Sequence, residues 1–468
     1  MQYFIRYFLL SFLFGAGAAV ADVEFHKDVM PLINAKCVTC HAVDGVSFSF
    51  EDPDETYNYR MAIALAVQEN RMPPWLAEPG HQSYVDDYSL STTEKSLIAE
   101  WAAAEYPRSG SAPTSTVVTE AREFEADWSV NILADGPYLP DQDNVDDYRC
   151  FIVDWPYDTE NYITGFMAEP GNTRVAHHIV MWMISPGSVE LVKTLSEEEE
   201  GQGHQCFSGP LPDSAVEDEV RRRAEERFPG GLNKYLSENF WLSHWAPGMY
   251  GIDFPQDTGI LMKPGSAVVV QMHYYTAFAP GETDEATTMH FKLADTVEKP
   301  SINYPLSQDS WLFSKDNNSM QIQPHTSNTF EFGIRFNNIA RYMSSFLDID
   351  LEEISAVELQ SANIHMHSYG ASGVASLLDE NGQKETLLNI PRWDHGWQRD
   401  FMFTEGKLIS RSKFEDTRLL VECTFSNDTD RVVFGGYGSD EEMCFNFSYM
   451  SVVRGKAEPT EPTEPSSQ

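Results

Sequence analysis

Cys37-Val38-Thr39-Cys40-His41 is the most restrictive stretch of this chain. Two thiols at that spacing, with an imidazole directly after them, can hold a haem covalently while the histidine ligates its iron. Such attachment needs an oxidising, extracytoplasmic setting. A domain that carries one haem needs only about 100 residues. The chain has 468, so most of it must do something else with the electrons.

The first residues read as an export signal. Arg6 precedes the apolar run Leu9 to Val20, and Ala19-Val20-Ala21 offers a cleavage site before Asp22, which predicts a signal peptide over residues 1–21. The run is too short for a permanent span, and no later stretch reaches the roughly 18 apolar residues a span requires. A soluble periplasmic or secreted protein, without stable membrane insertion, is expected. The 72 acidic and 32 basic side chains leave a formal charge of −40. That field repels phosphate backbones and anionic lipids, so nucleic acid is excluded as a partner.

Six cysteines divide cleanly. Once Cys37 and Cys40 go to haem, Cys150, Cys206, Cys423 and Cys444 remain. An even number in an exported chain predicts two disulfides. Of the three possible pairings, closeness in sequence favours Cys150–Cys206 and Cys423–Cys444.

The pattern of the chain changes once. Residues 22–108 read as an all-α domain, with helices over Val29 to Ala35, Asn58 to Gln68 and Ser91 to Ala104. The last opens on Ser91-Thr92-Thr93-Glu94, a hydroxyl cap with an early carboxylate, and buries Leu97, Ile98 and Trp101. Pro107-Arg108-Ser109-Gly110-Ser111-Ala112-Pro113 begins a linker, taken as residues 109–124. Beyond it come short β-prone runs between polar turns: Tyr148 to Trp155, Ala176 to Met183, Ala267 to Tyr274, Met289 to Leu293, Ile364 to Tyr369 and Glu422 to Phe425. They predict two all-β sandwich domains, residues 125–300 and 301–455. The charged stretch Ser196 to Glu226, helical over Val216 to Arg223, reads as a surface insertion. Residues 456–468, rich in Glu, Pro, Thr and Ser, form a tail expected to be disordered.

His41 is the expected proximal haem ligand. For the other face, Met72 in Arg71-Met72-Pro73-Pro74-Trp75 is the first choice, since a thioether on a proline-stiffened loop raises the reduction potential. Met30 and Met61 are assigned to helix packing. The motif, the Met-Pro-Pro-Trp loop and the closing helix together resemble bacterial c-type cytochrome domains over residues 24–108.

A second set of ligands lies in the β-rich part. His177 and His178 are neighbours in Val175 to Met181. Adjacent strand residues point to opposite faces, so both serve one metal only if the strand bends or they use different ring nitrogens. His273 sits in another apolar strand, Val268 to Tyr274, where an unpartnered imidazole would be costly. His365 and His367 flank Met366 and share one strand face. Met443, in Asp440-Glu441-Glu442-Met443-Cys444, can add a thioether. Imidazole with thioether suits copper cycling through the cuprous state. Zinc fits the histidines but gives Met443 no task and cannot use electrons from a haem.

These residues, with Trp245-Ala246-Pro247-Gly248, Gln271-Met272-His273-Tyr274 and Gly370, resemble the ascorbate-dependent type II copper monooxygenases over residues 125–453. That family includes the peptidylglycine α-hydroxylating and dopamine β-monooxygenases. The resemblance implies two jelly-roll sandwiches, each holding one copper, and the disulfides lie at family-like positions. His177, His178 and His273 would hold an electron-transfer copper. His365, His367 and Met443 would hold the copper where dioxygen is used to hydroxylate a small organic substrate. The haem, or an external reductant or redox protein, would supply electrons. Asn363 replaces the arginine of the peptide-amidating branch and Phe445-Asn446-Phe447 lacks its tyrosine, so peptide amidation is not expected. Tyr274, Trp245 and Phe447 permit a hydrophobic or aromatic substrate. A copper–haem electron-transfer or copper-handling protein is the second reading, and a zinc hydrolase with an attached cytochrome the third.

Overall fold

In a computed structural model the described residues are 23–42, 48–104, 124–207, 209–246, 249, 251–308, 310–311, 319–436 and 441–455. The expected leader, nearly all of the linker, the tail, and Pro247, Gly248 and Asp440 fall outside them. Among the described residues no helix is long and apolar enough to cross a membrane.

The N-terminal stretch is helix-rich. A π-turn over Phe25–Val29 leads into helix Met30–Lys36, followed by Pro53–Asn58, Arg60–Gln68 and Thr92–Ala103. The last starts where the sequence placed it, because the Ser91 hydroxyl accepts from the Glu94 N–H while the Glu94 carboxylate accepts from the Ser91 N–H. It buries Ile98 and Trp101, and Phe25 stacks on Trp101 with ring centroids 5.2 Å apart. Met30 belongs to this core. Met61 does not: it is 60% exposed, so packing does not account for it.

The rest is β-rich and built on three main sheets. In the first half, Asp146–Asp154, Ala267–Tyr275, Ala176–Ile184 and Phe240–Trp245 run antiparallel in a five-stranded sheet completed by His204–Gln205. Its apolar face, with Ile179, Met181, Val270 and Met272, packs on Ile163, Phe166, Ile260 and Phe291 from a nine-stranded sheet. In the second half a four-stranded sheet, Thr326–Arg335, Arg418–Asn427, Gly370–Leu378 and Lys384–Ile390, shares a core with the far end of the same nine-stranded sheet. That sheet runs unbroken past residue 300. Thr258–Met262 pairs in parallel with Lys299–Ser307, which pairs with Phe445–Arg454. The two halves are therefore joined by ladder hydrogen bonds, which alternating sequence patterns cannot announce.

The N-terminal stretch is built into the second half. Trp75, Leu76, Ala77 and Tyr84 extend its core. The Glu78 N–H donates to Asn389 O, Val85 N–H to Met402 O, and Thr404 N–H to Ser83 O. The buried Tyr84 hydroxyl donates to Leu387 O at 2.8 Å.

Cys150 is bonded to Cys206 and Cys423 to Cys444, while neither Cys37 nor Cys40 is in a disulfide. The expected surface insertion is more deeply engaged than its charge implied. Helices Asp218–Arg227 and Gly231–Glu238 bury Val220, Ala224 and Tyr235 with Leu191, Val192 and Leu195 on the outer face of the five-stranded sheet. His204 at the root of this insertion is fully buried, with Nδ1 on Ser196 Oγ and Nε2 on Pro210 O. Loss of water pushes it down to about 4. The unfolded imidazole takes up its proton near pH 6.5, so the unfolded state binds more protons between the two values. Stability from His204 is complete above pH 6.5 and disappears as pH falls toward 4. In urea titrations the wild type should lose on the order of 3 kcal/mol more than a His204→Gln variant across that window.

Candidate metal centres

His177, His178 and His273 converge. Their three Nδ1 atoms lie 3.2 Å from one another in all three pairings. The local reason is a β-bulge. The register between Ala176–Ile184 and Ala267–Tyr275 shifts between Ala176 and His178, so His178 faces His273 and His177 is the extra, unpaired residue. The bulge cancels the alternation that would have sent neighbouring rings to opposite faces. His273 Nε2 donates to Asp146 Oδ1 at 2.8 Å, which leaves Nδ1 with its lone pair. The His273 ring also stacks on Tyr148, centroids 4.1 Å apart. His177 is pushed down to about 4, chiefly by desolvation, so it is neutral and ready to ligate.

His365 and His367 sit in a loop, where a strand was expected. Strand Ile354–Ala362 ends before them and Gly370–Leu378 starts after. His365 keeps one isolated bridge, its N–H donating to Phe445 O and its carbonyl accepting from Phe445 N–H. The rings are perpendicular, centroids 5.4 Å apart. His365 Nδ1 donates to Gln398 Oε1 at 2.5 Å and His367 Nδ1 to Glu441 O at 3.0 Å. With Nδ1 so engaged, Nε2 is the nitrogen each ring would offer to a metal. Burial pushes His365 down to about 3. Met366 turns the other way and is fully buried.

Glu442 shapes this loop. Its buried carboxylate accepts from the N–H groups of His367 at 2.8 Å, Tyr369 at 2.6 Å and Met443 at 3.3 Å. Desolvation nevertheless pushes it up to about 7. The Trp393 indole N–H donates to His367 O at 3.1 Å.

One cavity of about 1020 Å³ is lined by His177, His178, His365, His367 and Met443 together. The aromatic residues Trp241, Trp245, Phe445 and Phe447 form part of its wall. Tyr274 is instead in the core, its hydroxyl donating to Asp284, and does not line the cavity. His244 and His395 reach the same space; neither was picked out from sequence, and each is a lone histidine in its stretch. Cys150, His204 and Cys206 also lie together, but both sulfurs are in the disulfide and cannot act as thiolates.

At the N-terminal site, Cys37, Cys40 and His41 follow helix Met30–Lys36. His41 Nδ1 donates to Phe48 O at 2.9 Å, and the ring stacks on Phe50 with centroids 4.2 Å apart. Met72 lies just past helix Arg60–Gln68, its N–H donating to Ala66 O. Pro73 and Pro74 share a small pocket with Cys40, Gln398 and Arg399.

Residues 342–456 match the family model described as "Copper type II ascorbate-dependent monooxygenase, C-terminal domain". The match covers His365, His367 and Met443 and identifies a copper-binding, monooxygenase-like domain at the C-terminal end; His177, His178 and His273 lie outside it. No curated protein matches the chain. Among solved structures, the major capsid protein P2 from bacteriophage PM2 is 8% identical, with 69% of this chain and 97% of that one covered at a TM-score of 0.26. Peptide:N-glycanase F is 8% identical, with 71% and 98% covered at 0.28.

Proposed function

We propose that this protein is a copper-dependent monooxygenase, hydroxylating a C–H bond of a small organic substrate with dioxygen and receiving electrons through a haem attached at Cys37 and Cys40. The carrying observation is the triangle of His177, His178 and His273 Nδ1 atoms, two of whose residues, His177 and His178, line the same cavity as His365, His367 and Met443. With the His273 Nε2 N–H committed to Asp146, three Nδ1 atoms meeting at 3.2 Å cannot all pair with one another through good hydrogen bonds. A cation resolves that conflict. The thioether of Met443 beside two imidazoles favours copper over zinc.

His177, His178 and His273 would hold one ion, and His365, His367 and Met443 the other. Bound copper would supply single electrons and a place for dioxygen to bind and be reduced. The chain does the rest. Asp146, Gln398 and the Glu441 carbonyl fix the ring nitrogens, and Glu442 holds the loop that carries His367 and Met443. Aromatic walls restrict water. We read the two sandwiches as jelly rolls and the protein as exported to the periplasm or beyond, after loss of its leader.

The N-terminal residues fit a covalent haem. The His41 Nδ1 bond to Phe48 O leaves Nε2 for iron. Phe48, Tyr59, Met61 and Leu65 are exposed apolar side chains of this small stretch, and Phe48 stacks on Tyr59 with centroids 4.3 Å apart. An apolar macrocycle would cover such a surface. Met72 is the proposed second axial ligand. The haem would pass one electron at a time.

Purified protein should contain two copper ions and one haem per chain by metal analysis. With reductant and labelled dioxygen, one labelled atom should enter product. Copper-loaded protein that consumes electrons yet never labels an organic product would leave the electron-transfer reading in its place.

A further inference from the structure

Phe278 is the most exposed large apolar side chain among the described residues, at 81%. It sits on the turn after strand Ala267–Tyr275, where the Ala279 N–H donates to Thr276 O. Val145 and Leu139, each half-exposed, lie in the loop beside that turn. The Thr276 N–H donates to Val145 O and the Gly281 N–H to Gln142 Oε1, so loop and turn form one surface. A single exposed phenylalanine needs no explanation; three apolar side chains gathered on one surface mark a site of contact.

Rings join this surface to the three-histidine triangle. Between centroids, Phe278 lies 5.8 Å from Tyr275, and Tyr275 lies 5.9 Å from His177. Asp146, which accepts from His273 Nε2, follows Val145 directly, and its side chain is 48% exposed. Phe278, Tyr275 and Val145 do not line the cavity, so this approach to the triangle is separate from the space for substrate. The N-terminal stretch meets the cavity elsewhere: Cys40 shares a small pocket with Gln398, the partner of His365. The surface is also acidic. Asp141, Asp143, Asp146, Glu282 and Glu285 stand on the same loop and turn. The one cation among residues 139–147, 171–175 and 275–286 is Arg174, which is tied to Glu282 at 2.5 Å.

We infer that this surface docks a small, basic, one-electron redox protein that reduces the metal held by His177, His178 and His273. Phe278, Val145 and Leu139 make the apolar contact, and the acidic side chains around them select and orient a cationic partner. A second copy of this chain, itself at −40, is repelled, as is an anionic lipid surface. One electron leaves the donor's reduced centre and is taken up at the triangle, Cu(II) becoming Cu(I), with no covalent bond made or broken. A patch of this size suits the brief encounters of redox partners, whose interfaces are small. The purpose assigned to the docking rests on the copper reading; the docking itself does not.

A lysine-rich mitochondrial cytochrome c is the probe, and an acidic plant-type ferredoxin its charge-reversed control. Binding of the oxidised probe to the copper-loaded, full-length protein is read by surface plasmon resonance. The cytochrome should bind and the ferredoxin should not, and affinity should fall at least tenfold from about 10 mM to about 150 mM salt. Phe278→Ser should weaken binding roughly tenfold. Leu408→Ser, at a 62% exposed position on edge strand Phe401–Ser410, should leave it unchanged. With reduced cytochrome, the Cu(II) paramagnetic signal of the triangle should disappear roughly tenfold more slowly in Phe278→Ser than in the wild type. Ascorbate, which needs no docking surface, should reduce both at one rate. Equal binding by Phe278→Ser and the wild type, no binding of the cytochrome, or equal affinity for the ferredoxin would overturn the inference. Phe278-dependent docking in which bound copper is never reduced would overturn it as well. The same docking by a chain that takes up no copper would instead keep the surface and remove the metal reading.

Discussion

Replacing Met443 by alanine should halve the copper content, from two ions per chain to one, and lower product formation by more than about a hundredfold. The residue lines the cavity with His365 and His367, in a segment fixed on both sides. Glu442 accepts from the Met443 N–H, and Cys444 is tied to Cys423. Truncating the side chain therefore removes a thioether without moving its neighbours. The remaining two imidazoles make a weaker site with no soft donor. The triangle of His177, His178 and His273 shares no side chain with this site and should keep its ion. Metal analysis with paramagnetic resonance of the oxidised protein checks both halves of the expectation. Two coppers and undiminished product in the variant would show that Met443 is packing.

The ligand types were legible in the sequence; the devices that aim them were not. Histidines in apolar strands and a methionine beside a cysteine are chemically conspicuous. The bulge at His177 is not, because nothing in Val175 to Met181 marks which residue is extra. The period-two pattern also extended a strand through His365 to His367, where the chain makes a loop. There the Glu442 carboxylate takes backbone N–H groups that a ladder would have paired. Asp146 and Gln398 were missed for a common reason. Each is an ordinary polar residue whose importance arises only when a distant element closes over it. The helices of the N-terminal stretch were readable because caps and 3.6-residue spacing are local signals. Its union with the β-rich second half was not, since the contacts join residues about 300 positions apart.

That union makes a second strong expectation. Tyr84→Ala should destabilise the protein by about 3–5 kcal/mol and act on the C-terminal copper site as well as on the helical stretch. The Tyr84 ring packs against both Trp75 and Phe401, at centroid distances of 6.0 and 5.4 Å, and its hydroxyl supplies a partner for Leu387 O. Truncation opens a cavity and leaves that carbonyl unpaired. The consequence reaches His365 through residues 398–401. Phe401 is beside Tyr84, the Arg399 guanidinium lies 4.8 Å over Trp75, and Gln398 accepts from His365 Nδ1. Copper titration should show weaker binding at the His365 site and unchanged binding at the three-histidine site, alongside a lowered Tm. A stretch merely tethered by its linker would give neither effect. The same packing decides how the proposed haem's role can be tested. Deleting residues 1–104 strips Trp75, Ala77 and Tyr84 from the second core, so slow copper reduction in such a truncation could come from a collapsed site. Replacing Cys37 and Cys40 by alanine keeps the scaffold, and it separates electron supply from structural support.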